Sequence, residues 1–128
     1  MTLLLDTHSF LWFWWDDPQL SETAKQVICD ATNRKLVSTV SCWEIAIKVS
    51  LKKLDLGTPY QGFIHQHMVR NNFELLQITD EHLAMLVDLP FHHKDPFDRL
   101  LIAQALYEQI PIVSVDSQLD AYGVTRIW

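Results

Sequence analysis

The chain reads as an α/β protein built on a mostly parallel sheet with helices on both faces, and three observations predict this. Short apolar runs alternate along the chain with longer segments of helical periodicity, the pattern of βαβ units. Hydrophobic residues make up 48% and glycine only 3 of the 128 positions, so the composition suits a packed interior. The length is that of one domain with a real core, and no repeat, low-complexity tract or linker interrupts it. We therefore expect a single domain over residues 1–128.

The elements follow in order. Leu3-Leu4-Leu5 is a buried first strand, ended by Asp6-Thr7-His8. Ser9–Trp15 is a short helix stopped by Asp16-Asp17-Pro18. Ser21–Asn33 is a second helix with Ser21 as N-cap and Ala24, Val27, Ile28 and Ala31 on its inner face. Leu36–Val40 is a strand and Ser41–Lys53 a strongly patterned helix, followed by a loop over Leu54–Pro59. Tyr60–Asn71 is helical, Phe73–Ile78 a strand, and Thr79 caps a helix through Val87. After a loop at Leu89–Lys94, Asp95 at N-cap and Pro96 at N1 start a helix through Tyr107. Ile112–Val115 and Val124–Ile127 are the last strands.

Composition narrows the setting. Cys29 and Cys42 show neither metal-ligand spacing nor the density of a secreted scaffold, which points to reduced thiols and the cytoplasm. Asp6 and His8 interrupt the apolar N-terminus and no basic segment precedes it, so neither a signal peptide nor a membrane span is expected. The net charge of −6 argues against a simple nucleic-acid glove. Two divalent cations among the acids discussed next would, however, cancel most of it.

Four carboxylates, Asp6, Glu44, Asp98 and Asp116, each lie where a strand ends or a helix begins. In parallel α/β folds ligands bind beyond the carboxyl ends of the strands, where the following helices also start, so topology alone can bring all four to one rim. Each acid also has an ordinary structural explanation. Ser41-Cys42-Trp43-Glu44 matches a capping box, Asp98 stands three residues after Asp95, and Asp6 and Asp116 suit Asx-turns. Taken singly these explanations outweigh catalysis; taken together they give no reason for four acids at one rim. Carboxylates so gathered repel unless a cation sits among them, and Mg²⁺ or Mn²⁺ prefers such oxygen ligands.

Several segments resemble the PIN-domain family, and most of all the VapC-type toxin ribonucleases of bacterial toxin–antitoxin pairs. They are Leu4-Leu5-Asp6-Thr7-His8, Val40 through Lys48, His92 through Ala105 with Asp95-Pro96-Phe97-Asp98-Arg99 at its centre, and Val113-Ser114-Val115-Asp116 followed by Ala121 through Val124. The resemblance implies a three-layer α/β/α fold and a Mg²⁺-dependent endoribonuclease, with one or two ions of Mg²⁺ or Mn²⁺. It implies metal ligation and catalysis by Asp6, Glu44 and Asp98, with Asp116 as a fourth acid acting through water, and products bearing 5′-phosphate and 3′-hydroxyl ends. The implied partners are an RNA substrate, a cognate antitoxin and a second copy of the chain.

Other features leave two readings. Glu44, Lys48 and Lys52 recur every four residues, which makes either an exposed ion pair or a basic track for RNA phosphates. Phe10 through Trp15 has no polar face, so it is either buried on all sides or meets a partner; we expect an interface there, with Trp12, Trp14 and Trp15 as its candidates. Thr7 suits a plain turn or a bond to a metal-held water. His65 and His67 face different ways on a helix and do not suit ligation, and His92 and His93, in the loop before the acid-rich helix, either line the groove mouth or, as loop histidines more often do, are simply solvated. Arg99 points about 100° away from Asp98 and is given no chemistry. Two other functions compete with the nuclease. One is a PIN-scaffold binding module working through antitoxin assembly. The other is a phosphatase with Asp6 as nucleophile, which would need a second Asp where His8 stands.

Overall fold

The computed structural model covers residues 1–128. Strands Thr2–Leu5 (β1), Arg34–Ser38 (β2), Glu74–Leu76 (β3), Ile112–Val113 (β4) and Arg126–Ile127 (β5) form one sheet in the order β3-β2-β1-β4-β5. Every neighbouring pair is parallel. The helices are Thr7–Trp15 (α1), Glu22–Cys29 (α2), Thr39–Ser50 (α3), Tyr60–Arg70 (α4), Asp80–Val87 (α5) and Pro96–Glu108 (α6), with a 3-10 helix at Ser117–Tyr122.

Alternation along the strands sorts the core into two layers. Leu3, Leu5, Val37 and Val113 pack with Phe10, Ala24, Ile28 and Phe63 on one face. Leu4, Leu36 and Ile112 pack with Leu101, Ile102 and Leu119 on the other. The fold is thus the three-layer α/β/α sandwich expected. From β1 the chain steps outward to β2 and β3, then returns through α5 and α6 to β4 on the far side of β1. That reversal opens a crevice at the carboxyl ends of β1 and β4.

Element boundaries differ from expectation where a side chain or the sheet overrules periodicity. Helix α2 stops at Cys29 because the Asp30 carboxylate accepts bonds from the Thr32 amide and hydroxyl, closing a turn that leads into β2. Strand β2 begins at Arg34, since pairing with β1 runs from Thr2 opposite Arg34 to Leu5 opposite Val37. Helix α3 therefore starts at Thr39, with Ser38 as N-cap accepting from the Val40 amide at 3.0 Å. This overturns the capping box at Ser41–Glu44. Helices α5 and α6 start as expected, capped by Thr79 and by Asp95 with Pro96 behind it.

The aromatic stretch is largely covered by the chain itself. Phe10 is fully buried and Leu11 nearly so. His67 of α4, also fully buried, stacks on Phe10 at 3.9 Å and donates from Nε2 to the Phe10 carbonyl at 2.6 Å. Trp14 meets the Phe63 ring edge-on at 5.5 Å, with the Arg70 guanidinium 5.3 Å above it, and Trp12 lies 6.1 Å from Trp128. Of the stretch, Trp15 is the most exposed residue, at 40%. Arg99 is also buried: it donates to the Leu89 and Pro90 carbonyls and lies 3.8 Å over the Phe91 ring, so it anchors the loop before α6. No helix is long and apolar enough to cross a membrane.

Candidate functional site

Each of the four acids reaches the crevice by a different local device. Asp6 directly follows β1 and caps α1, its carboxylate accepting from the Ser9 amide at 2.8 Å. Its own amide donates to Val113 in β4 at 3.1 Å, which ties it to the switch point. Burial pushes the Asp6 acid above its ordinary value, although the hydroxyls of Ser114 and Ser9 and the Ser9 amide oppose the shift.

Glu44 is buried in α3, past its first turn, so its carboxylate has no part in capping. One oxygen accepts from the Thr7 hydroxyl at 2.7 Å and the other from Lys48 Nζ at 2.7 Å. Thr7 Oγ1 also lies 2.9 Å from Ser41 Oγ, which joins the start of α1 to α3. Lys48 is thereby the partner of Glu44. Because α3 ends at Ser50, Lys52 lies beyond the helix, in a left-handed turn with φ of 59°, and does not continue the row. Lys53 takes its place beside Lys48 in a cleft of about 240 Å³ that Thr7, His8 and Trp12 also line.

Asp98 stands in the first turn of α6, but Asp95 alone caps that helix, accepting from the Phe97 and Asp98 amides. The Asp98 carboxyl is therefore free for other work, and it is pushed up to about 7 from an ordinary 3.8. Burial is the main cause, followed by the negative charges of Asp95, Asp6, Glu44 and Asp116. Asp116 caps the 3-10 helix, accepting from the Gln118 amide at 3.0 Å in the Asx-turn its sequence suggested. Since β4 ends at Val113, Ser114 and Val115 intervene, and the Ser114 hydroxyl accepts from the Asp116 amide.

The tightest grouping is Asp98, Asp116 and His93, whose ligand atoms all lie within 4.8 Å of one another. Asp6 and Glu44 stand outside that group, yet near enough for their charge to raise Asp98. Of the two readings the sequence allows His93, the groove mouth and plain solvation, the structure favours the first: its side chain is only 11% exposed and its Nε2 lies 3.9 Å from Asp98. Two other contributors went unnoticed. Ser114 lies beside Asp6, whose pKa it lowers, and accepts from the Asp116 amide, and Tyr122 accepts from the amides of His92 and His93 at 3.0 and 3.1 Å. The fixed spacing of Ser114 two residues before Asp116 was a usable signal; nothing local to Tyr122 announces its partners.

The residues fit a hard divalent cation. The donors are anionic oxygens, and the carboxyl of Asp98, raised to about 7 by burial and further by the acids around it, stands amid negative charge that lacks a counterion.

The chain also matches known proteins in sequence and in fold. The family model described as PIN domain matches residues 3–124. The chain is 30% identical over 127 residues to Ribonuclease VapC22 of Mycobacterium tuberculosis, covering 98% of this chain and 95% of that one. Among solved structures it is similar to VapBC2 from Rickettsia felis bound to a promoter DNA fragment, with a TM-score of 0.74, 13% identity and coverage of 98% and 97%. It is also similar to VapBC-1 from nontypeable Haemophilus influenzae, with a TM-score of 0.68, 12% identity and coverage of 98% and 96%.

Proposed function

The chain belongs to the PIN-domain family and, within it, to the VapC-type proteins, and on that premise we propose that it is a divalent-metal-dependent endoribonuclease acting as the toxin of a toxin–antitoxin pair. One observation carries the catalytic part of this reading. Asp98 and Asp116 group with His93 at the crevice beyond β1 and β4, and burial, reinforced by the charges of Asp95, Asp6, Glu44 and Asp116, raises Asp98 to about 7. A structural role for the carboxylates gives no reason to assemble such an unfavourable set.

Asp6, Asp98, Asp116 and Glu44 would hold Mg²⁺ or Mn²⁺, one or two ions. Bound there, the cation supplies positive charge that polarises the scissile phosphate and the attacking water. The chain's own residues do the positioning. The Thr7 hydroxyl and the Lys48 ammonium fix both oxygens of Glu44, and the Ser9 amide fixes Asp6. With its carboxyl raised to about 7, Asp98 is partly protonated near neutral pH, and a cation among the acids would favour its carboxylate form. Lys48 and Lys53, beside the aromatic wall of the adjoining cleft, suit the backbone of single-stranded RNA. Hydrolysis would leave 5′-phosphate and 3′-hydroxyl ends.

The partners follow from the family: a cognate antitoxin, a second copy of the chain and, in the cytoplasm, an RNA target. Trp15 is the part of the aromatic stretch still available to a protein partner. The competing reading, a binding module that assembles with its antitoxin without catalysis, keeps the fold and discards the acids' chemistry.

Glu44→Gln separates the two. The amide oxygen still accepts from Thr7, so the variant should fold with an unchanged circular dichroism spectrum. RNA cleavage in Mg²⁺ should fall by about a hundredfold or more, the scale of removing one preorganised charge-stabilising group. Cleavage at the wild-type rate would remove Glu44 from the metal site. Absence of metal-dependent cleavage by the unaltered chain would favour the binding module.

A further inference from the structure

Hydrogen-bond accounting around Tyr122 settles which nitrogen of His93 carries the proton. The phenolic oxygen has two lone pairs and one hydrogen to place. The backbone amides of His92 and His93 donate to it at 3.0 and 3.1 Å, and Arg99 Nη1 approaches at 3.4 Å. These donors occupy the lone pairs, so the hydroxyl must itself donate, and the acceptor in reach is His93 Nδ1 at 2.9 Å. Nδ1 is therefore bare and Nε2 carries the hydrogen.

That N–H has nowhere to go within the chain. Nε2 is shielded from solvent and without a hydrogen-bond partner, and its nearest acid, Asp98, is 3.9 Å away, beyond bonding range. Such an orphaned donor is costly unless something else completes it. It points into the group formed with Asp98 and Asp116. We infer that His93 is a substrate contact, donating its Nε2 hydrogen to a non-bridging oxygen of the RNA phosphate held in the acid site. A phosphodiester oxygen accepts and never donates, which is what a protonated Nε2 requires. Ligation of a cation by His93 is disfavoured by the same accounting. It needs a bare Nε2 and a hydrogen on Nδ1, and the Tyr122 proton would then lose its acceptor.

The inference rests on the nuclease reading, and three measurements test it. Nitrogen-15 spectra of the histidine rings should show His93 protonated at Nε2 and bare at Nδ1; the opposite tautomer overturns the proposal whatever happens to the variants. Mn²⁺ affinity, followed by electron paramagnetic resonance, should stay within about twofold in His93→Ala, whereas a loss of tenfold or more would make His93 a ligand. RNA cleavage by the same variant should fall by about ten- to a hundredfold, the worth of a hydrogen bond to a charged group. His93→Gln, which restores an N–H near the Nε2 position, should recover part of that loss. If the unaltered chain cleaves RNA and His93→Ala cleaves it equally well, this contact is refuted while the nuclease reading stands. If the unaltered chain cleaves no RNA with any divalent cation, both fall together.

Discussion

At the residue scale, the cost of the site is concentrated in Asp98. Its carboxyl is raised to about 7 in the folded chain against an ordinary 3.8, so between those values the folded state binds more protons than the unfolded one. Stability of the metal-free protein must then fall as pH rises through that window, because ∂ΔG/∂pH is negative where the native state holds the extra proton. Asp6, raised by burial, adds in the same direction. His67 works at the other end. Burial lowers its pKa below 6.5, so the unfolded imidazole takes a proton first, and the stability it lends above that value is lost on acidification. Asp98→Asn removes the repulsion while keeping the shape. In chelator at pH 8 its melting temperature should rise by about 4 °C, equivalent to about 1 kcal/mol after allowing for solvent at a side chain one-third exposed. RNA cleavage by the variant should be lost. A lower melting temperature for Asp98→Asn would show that the charges are already compensated.

At the element scale, the start of α3 shows how a local signal can name the wrong residue. Ser41-x-x-Glu44 fits a capping box by spacing alone, yet β2 pairs with β1 as far as Val37 and with β3 as far as Ser38, and hands the cap to that last residue. The displacement frees Glu44 for the crevice and turns Ser41 toward Thr7. Ser38→Ala should therefore cost about 1 kcal/mol in urea denaturation, the usual loss of an N-cap bond. Ser41→Ala should leave the helix start intact and act instead through Thr7 on cleavage. Equal stability losses without a cleavage defect in Ser41→Ala would contradict the assignment. The loop before α6 is likewise an element set by distant partners: Arg99 holds its carbonyls and Tyr122 its amides, which is how a loop histidine comes to be shielded.

At the scale of the whole molecule, the strand order creates the site. Because β4 lies beside β1, Asp6 and Asp116, far apart in sequence, end up on one rim, and α3 and α6 deliver Glu44 and Asp98 to it. Mg²⁺ should then bind the folded chain and not the unfolded one. At a concentration of about one hundred times its dissociation constant it should add about 2.7 kcal/mol of stability. The gain should be larger at pH 8 than at pH 5, where protons compete for Asp98, and paired melting curves in Mg²⁺ and chelator measure it. Identical curves at pH 8 would mean that no cation is held. Much of this was legible in the linear chain. Alternating short apolar runs and periodic segments imply the layered α/β fold, the Asp95-Pro96 pair marks the start of α6, and the acids at element ends suggest a rim. These are local patterns, written by hydrophobic periodicity and by caps that span a few residues. Which acids group most closely, the buried donor on His93, the cap at Ser38 and the covering of Phe10, Phe13 and Trp14 by α4 were decided by tertiary structure. Each depends on contacts between residues tens of positions apart, and sequence spacing carries no measure of those.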